Sequence, residues 1–367
     1  MDKPLIIAFY LPQFHPIPEN DAWWGKGFTE WTNVGKAKPL FRGHYQPKVP
    51  ADLGYYDLRN PEVRELQAEL AHEAGVNAFC YWHYWFGNGK ELLERPFKEV
   101  VESGKPDFPF CLGWANENWQ AKLWNSDLSS TVKKDLIIQE YPGIKDIENH
   151  FYSQLNAFKD PRYVRIDGRP LFLIYSPTKH PQLQEFLKTW NTLIKKNEVA
   201  ESFYFVGLAK DDKDMEYVKS LGFDAVSGGL LERLPAAYMK KNILYRMVKY
   251  ILRTRFNRPV VIPYQKAAPL LVHKNFDVKE YVIPTLMPNW DHSPRSGGNS
   301  VILHKSTPQY FKKHCKEVLN VVKQKDNKII FLKSWNEWGE GNYMEPDLQY
   351  GKGYIHALAE AIKEIFP

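Results

Sequence analysis

Two glutamates three positions apart, Glu337 and Glu340, lie in the run Ser334-Trp335-Asn336-Glu337-Trp338-Gly339-Glu340-Gly341. Paired carboxylates beside large aromatic faces suit sugar chemistry. One group donates a proton, the other accepts one, and flat apolar surfaces stack on the ring. An extended chain would point the two acids to opposite faces. They converge only if the chain turns between them, and Gly339 makes such a turn easy. Converged carboxylates take different protonation states, because an ionised neighbour and a desolvating aromatic wall both raise the pKa of the other. An arbitrary ExxE is more often an exposed acidic loop. Here Trp335, Asn336, Trp338 and a location just past an apolar run, Ile329-Ile330-Phe331-Leu332, favour a site.

That apolar run reads as a strand, and the chain has others like it. Strands are predicted over 5–11, 78–85, 110–115, 171–176, 204–208, 225–228, 282–287 and 329–335. Most are short apolar runs without polar alternation, which suits strands buried on both faces. Helices separate them. Asn60-Pro61-Glu62 opens one with an N-cap and a proline at the first helical position, and Gly75 ends it. Others are predicted over 146–158, 181–195, 308–322 and 354–365. This alternation predicts an α/β protein, a single (β/α)8 TIM barrel over 1–367. An open doubly wound sheet is the alternative, but the first strand is not followed by GxGxxG. Long insertions are expected at 15–59, 117–143 and 229–280.

In a barrel the C-terminal strand ends form the active face. Polar and aromatic residues gather at those positions. The candidates for substrate contact are His15, Trp31, Tyr81, His83, Trp85, Trp114, Asn116, Glu117, Trp290, Asp291, Asn336, Trp338 and Tyr343. His83 would bond a sugar hydroxyl or serve as a buried structural histidine. Asp291 and Arg295 would bind substrate or pair structurally.

Aromatics make up 15% of the 367 residues, too much apolar mass for a disordered chain. The three cysteines, Cys80, Cys111 and Cys315, form neither a disulfide framework nor a CxxC pair. The first residues enter a strand without the features of a signal peptide, and no run of apolar residues is long enough to span a bilayer. A cytoplasmic location is therefore expected. Histidine spacing and the lack of a calcium-loop pattern predict no metal, and no cofactor is expected. Nothing signals a nucleic-acid-binding fold.

Several of these segments together carry a family resemblance. They are YLPQFHP from Tyr10 and WTNV from Trp31, YWHYWF from Tyr81, WANENW from Trp114 and SWNEWGEGNYMEPD from Ser334. The chain resembles the WbsX-type family of bacterial polysaccharide-biosynthesis proteins over nearly its whole length. That family is related to family-99 glycoside hydrolases, the endo-α-mannosidases and endomannanases. The hydrolase likeness rests mainly on the barrel and the WNEWxE element. It implies a retaining reaction in which one carboxylate deprotonates the sugar 2-hydroxyl to form a 1,2-anhydro sugar. The other protonates the leaving oxygen and then activates water. By resemblance Glu337 assists the 2-hydroxyl and Glu340 is the general acid/base. Gly339 stands where the hydrolases carry histidine. The implied function is cleavage or transfer of glycosidic bonds in a bacterial surface polysaccharide. Glycosyl transfer in O-antigen or capsule synthesis is one alternative, and a non-catalytic glycan-binding barrel is another.

Charge is unevenly spread. Lys240, Lys241, Arg246, Lys249, Arg253, Arg255 and Arg258 fall in a stretch without acids, and without those seven charges the net +6 becomes −1. Residues 238–257 read as an amphipathic helix. A barrel-covering helix with a solvated cationic face is the favoured reading; peripheral contact with anionic lipid is the other.

Overall fold

The computed structural model describes residues 3–122, 133–228, 258–273 and 275–367, together with Leu234 and Met247. Eight strands carry the architecture: β1 (Leu5–Tyr10), β2 (Ala78–Trp85), β3 (Phe110–Trp114), β4 (Arg169–Ile174), β5 (Tyr204–Ala209), β6 (Ala225–Gly228), β7 (Thr285–Leu286) and β8 (Ile329–Leu332). The chain divides into two compact units, Met1–Asn77 with Gly229–Pro367, and Ala78–Gly228.

In the first unit β1 pairs in parallel with β8, Leu5 opposite Ile329 through Ala8 opposite Leu332. β7 pairs in parallel with the other edge of β8. The side chains of Ile6, Ile7, Ala8, Leu286, Phe331 and Leu332 are fully buried, as the apolar runs predict. The helix Pro61–Ala74 has the predicted ends: Asn60 accepts from the Glu62 backbone N–H, and Gly75 takes the left-handed conformation at φ 81°. Thr307 caps the helix Pro308–Lys323 in the same way. A second parallel pair, Val260–Pro263 with Val301–His304, packs on its own apolar cluster around Tyr264, Leu271 and Met287.

In the second unit the parallel order runs β2, β3, β4, β5, β6. Helices Ile144–Ser153 and Leu183–Lys196 bury Phe151 and Trp190 in a dense aromatic core with Phe172 and Phe203.

Most bounds agree within two residues, and three predicted elements differ by more or are divided. The strand predicted over 282–287 is a two-residue ladder, because Pro284 and Pro288 flank it and donate nothing to a sheet. The last strand stops at Leu332 rather than 335. The helix predicted over 146–158 is two, Ile144–Ser153 and Leu155–Lys159, divided at Gln154 (φ −109°, ψ 2°), whose buried amide bonds Glu91. Of the predicted amphipathic helix over 238–257, all but Met247 lies outside the described residues. Among the described residues no helix is long and apolar enough to cross a membrane.

Candidate active site

Past β8 the chain builds a small hairpin. Asn336–Glu337 pairs antiparallel with Asn342–Tyr343, and a 3-10 turn, Trp338–Glu340, closes it. Ser334 braces the hairpin: its Oγ donates to the Asn342 carbonyl at 2.7 Å and accepts from the Glu337 N–H at 3.0 Å. The left-handed residue that reverses the chain is Gly341, at φ 53°, and not Gly339. Gly339 is needed for space. A Cβ there would stand 1.8 Å from Glu30 Oε2 and 3.0 Å from Arg295 Nε.

The turn brings Glu337 and Glu340 to one cation. Arg295 Nη1 donates to Glu340 Oε1 at 2.7 Å and to Glu337 Oε1 at 3.2 Å. The other side of the guanidinium grips a third acid, Glu30 Oε2, through Nε at 3.1 Å and Nη2 at 3.0 Å. His292 Nε2 lies 3.4 Å from Glu340 Oε1. Glu337 and Glu340 keep 12% and 15% of their side-chain surface exposed, so the pair is neither sealed nor free in solvent.

This environment separates the two carboxyls. Burial and the charge of Glu340 push Glu337 up to about 7, against the pull of Arg295. Burial also acts upward on Glu340, but Arg295 and His292 together hold it well below the usual carboxylate range. Burial alone would lower the Arg295 pKa. The three surrounding acids more than reverse that and keep it charged. The two carboxyls are thus driven in opposite directions, Glu337 towards holding a proton and Glu340 towards ionisation.

Behind the pair lies a rigid polar scaffold. Asn336, fully buried, bonds both the N–H of Leu11 (2.8 Å) and its carbonyl (3.0 Å), tying the hairpin to the end of β1. Trp338 and Tyr343 are buried and stacked, ring centres 3.8 Å apart at 9°. Trp338 Nε1 donates to Glu345 (2.6 Å), which also accepts from Gln67 (2.6 Å) and Tyr56 (2.9 Å). Asn336, Trp338 and Tyr343, predicted to contact substrate, are thus occupied as supports. Trp31, half-buried, donates to the Tyr56 carbonyl at 2.7 Å and packs on Trp338. His15 is buried with Nδ1 3.0 Å from the Pro12 carbonyl oxygen. Asp291 accepts from His44 and Gln46, both at 2.7 Å, and from the Ser293 N–H at 3.0 Å. Its own N–H holds the Glu340 carbonyl at 2.8 Å. Trp290 is buried, with Lys333 Nζ 5.1 Å from its ring centre and the His292 ring stacked at 5.8 Å. A cavity of about 100 Å³ is lined by His44, Tyr45, Lys48, Asp291, Tyr343 and Tyr350 among others, and neither Glu337 nor Glu340 borders it.

The remaining candidates belong to the second unit. Tyr81 is buried between Phe79 and Phe97. His83 Nε2 lies 2.7 Å from His150 Nε2, and the Trp85 ring stacks on His150 at 4.8 Å. Trp114 Nε1 donates to the Trp85 carbonyl at 2.9 Å. Asn116 bonds the backbone of Ser176 in both directions (2.7 and 2.9 Å). Glu117 accepts from Ser176 at 2.6 Å and pairs with Lys179. Burial lowers the His83 pKa to about 4, which leaves the ring neutral.

Glu30 was not among the predicted site residues. It opens the helix Glu30–Lys36 and is 2% exposed. An acid between Phe28 and Trp31, just after the N-cap Thr29, was the available signal. Among the described residues no group of three or more His, Cys, Asp or Glu is arranged to hold a metal.

The fold is that of an α/β protein of the (β/α)8-barrel class. It is similar to a glycoside hydrolase-like protein of known structure at 16% identity and TM-score 0.60, covering 98% of this chain and 94% of that one. It is similar also to the family-99 endo-α-mannosidase of Bacteroides thetaiotaomicron, at 14% identity and TM-score 0.56, covering 100% and 97%. The chain belongs to the family described as Glycosyltransferase WbsX, matched over residues 6–358. Two curated relatives from strains of Xanthomonas campestris pv. campestris, each called uncharacterized protein WxcX, are 35% identical over 363 residues. The match covers 97% of this chain, and the chain spans about half the length of those relatives.

Proposed function

We propose that the chain is a carbohydrate-active enzyme, its residues 1–367 one catalytic domain. It cleaves or transfers an O-glycosidic bond of a bacterial surface polysaccharide or its precursor, with Glu337 and Glu340 as the acid/base pair. One observation carries the reading. A single guanidinium nitrogen reaches both carboxyls, and their surroundings leave one ionised while the other retains a proton up to about pH 7. That is the starting state for acid/base chemistry on a glycoside.

Along the path the resemblance implies, the ionised carboxylate takes the proton of the sugar 2-hydroxyl. The freed oxygen attacks the anomeric carbon as the bond to the leaving oxygen breaks. The protonated carboxyl gives its proton to that leaving oxygen. Water, or the hydroxyl of an acceptor sugar, then opens the anhydro ring with net retention. An acceptor hydroxyl in that second step makes the reaction a glycosyl transfer, the reading the family description favours.

In the free protein the proton belongs to Glu337 and the charge to Glu340, the converse of the order the resemblance implies. Arg295 and His292 together hold the charge on Glu340, which leaves Glu337 as the donor.

The test is incubation with the polysaccharide of the source bacterium, with anomeric signals followed by NMR. E337Q and E340Q should each lose about 100-fold or more in rate. A near wild-type rate in either removes that residue's role. Tight oligosaccharide binding that survives both substitutions, with no turnover by the unaltered protein, identifies a glycan-binding barrel instead.

A further inference from the structure

Glu30 has no part in the reaction just described, yet it is the most deeply buried acid around Arg295, with 3% of its side chain exposed. Its Oε2 takes two guanidinium donors, Nε and Nη2, at 3.1 and 3.0 Å. Its Oε1 lies 3.4 Å from the Asn33 amide nitrogen. The two-donor contact fixes the plane of the guanidinium. The remaining nitrogen, Nη1, is thereby aimed at Glu337 and Glu340 together. Glu30 itself is fixed from both ends of its residue. The Thr29 N-cap starts its helix, and its own N–H donates to the Gln13 carbonyl at 3.1 Å. The missing side chain at Gly339 leaves the volume that Glu30 Oε2 fills.

We propose that Glu30 is a positioning residue: it anchors Arg295 so that one guanidinium nitrogen bridges Glu337 and Glu340. Gly339 is the third member of this device, since any Cβ at 339 displaces the Glu30 carboxylate. The catalytic meaning of the device rests on the function proposed above, but its existence does not. The charged and titratable groups acting on the pair are Arg295, His292, Lys333 and Glu30, besides the two glutamates themselves. Within that set Glu30 adds negative charge that raises Glu337, while the cation it anchors lowers Glu340.

The experiment is a carbon-13 NMR titration of glutamate side-chain carboxyls in the full chain, with E337Q and E340Q assigning the signals. The Glu337 signal should titrate near 7. E30Q removes a charge but keeps an acceptor for Arg295, so the Glu337 midpoint should fall by on the order of one pH unit. G339A, which displaces the Glu30 carboxylate, should move it as well. E30D keeps the charge but draws the carboxylate back from Arg295 by one methylene, so it too should shift the midpoint; a wild-type midpoint in E30D means that charge alone acts and overturns the positioning role. R295Q should raise the Glu337 midpoint and bring Glu340 into the titrating range. A purely structural Glu30 would lower the melting temperature of E30Q and leave the midpoint unmoved, and that result overturns the proposal. If E30Q does not fold, R295Q decides, and an unmoved pair of midpoints overturns it equally. No substrate is needed, so the two readings separate. Shifted midpoints with full activity in E337Q sink the catalytic assignment alone. Unmoved midpoints with activity abolished in E337Q sink the positioning pair alone.

Discussion

Glu340 lies 2.7 Å from the Arg295 guanidinium, closer than Glu337 at 3.2 Å, and it alone of the two lies beside His292. A half-ångström and a second nitrogen base are enough to split two buried carboxyls that share one wall. Coulomb energies in a low-dielectric site are steep, and the desolvation cost weighs on whichever acid is the less well paired.

That asymmetry makes the donor identifiable. An aryl glycoside with a strongly acidic leaving group needs no protonation to depart. On such a substrate, built from the sugar the native polysaccharide releases, the variant lacking the donor should recover. The variant lacking the base should stay about 100-fold or more impaired. Recovery of E337Q assigns the proton to Glu337 in the working complex. Recovery of E340Q assigns it to Glu340, against the order in the free protein. Recovery of neither removes the donor role from the pair.

Glu345 titrates for a different reason. It is 1% exposed, and burial raises its carboxyl to about 7 despite the donors around it, Trp338, Gln67 and Tyr56 among them. A carboxyl raised on folding stabilises below its unfolded value of about 4.5 and loses that contribution as pH rises through about 7. The loss is on the order of 3 kcal/mol for the fully buried group. Relative to wild type, E345Q should therefore become progressively more stable between pH 5 and 8 in denaturant melts. A constant difference across that range would contradict the assignment.

The histidines of the second unit slope the other way. His83 and His180 are lowered to about 4 by burial. Their stabilising contribution is present above the unfolded value of about 6.5 and lost as pH falls through about 4. H180F should flatten the acid side of the stability profile recorded by melts between pH 7 and 4. An unchanged acid limb would show that His180 is not buried neutral.

Asn336 should matter to stability more than to chemistry. Removing its amide in N336A strands the N–H and carbonyl of Leu11 inside the fold. The expected cost is about 2–4 kcal/mol, measurable by urea unfolding. A cost below about 0.5 kcal/mol would mean water replaces the amide.

The residues by themselves determined the strand runs, the proline-and-cap helix starts and the location of the acid pair just past β8. These are local signals, set by burial periodicity and by the first turn of a helix, and they need no distant partner. Asn336, Trp338 and Tyr343 were legible as important but not as supports, because an aromatic or an amide at a strand end looks the same whether it faces substrate or scaffold. Gly339 was legible as special for the wrong reason: its backbone is ordinary, and its missing side chain makes room for Glu30. Only the tertiary structure brought Glu30 and Arg295, 265 positions apart in the chain, onto one another and onto the pair. Charge interactions act through space and carry no mark in sequence spacing, so the acid that tunes this site could be found only once the chain had folded around it.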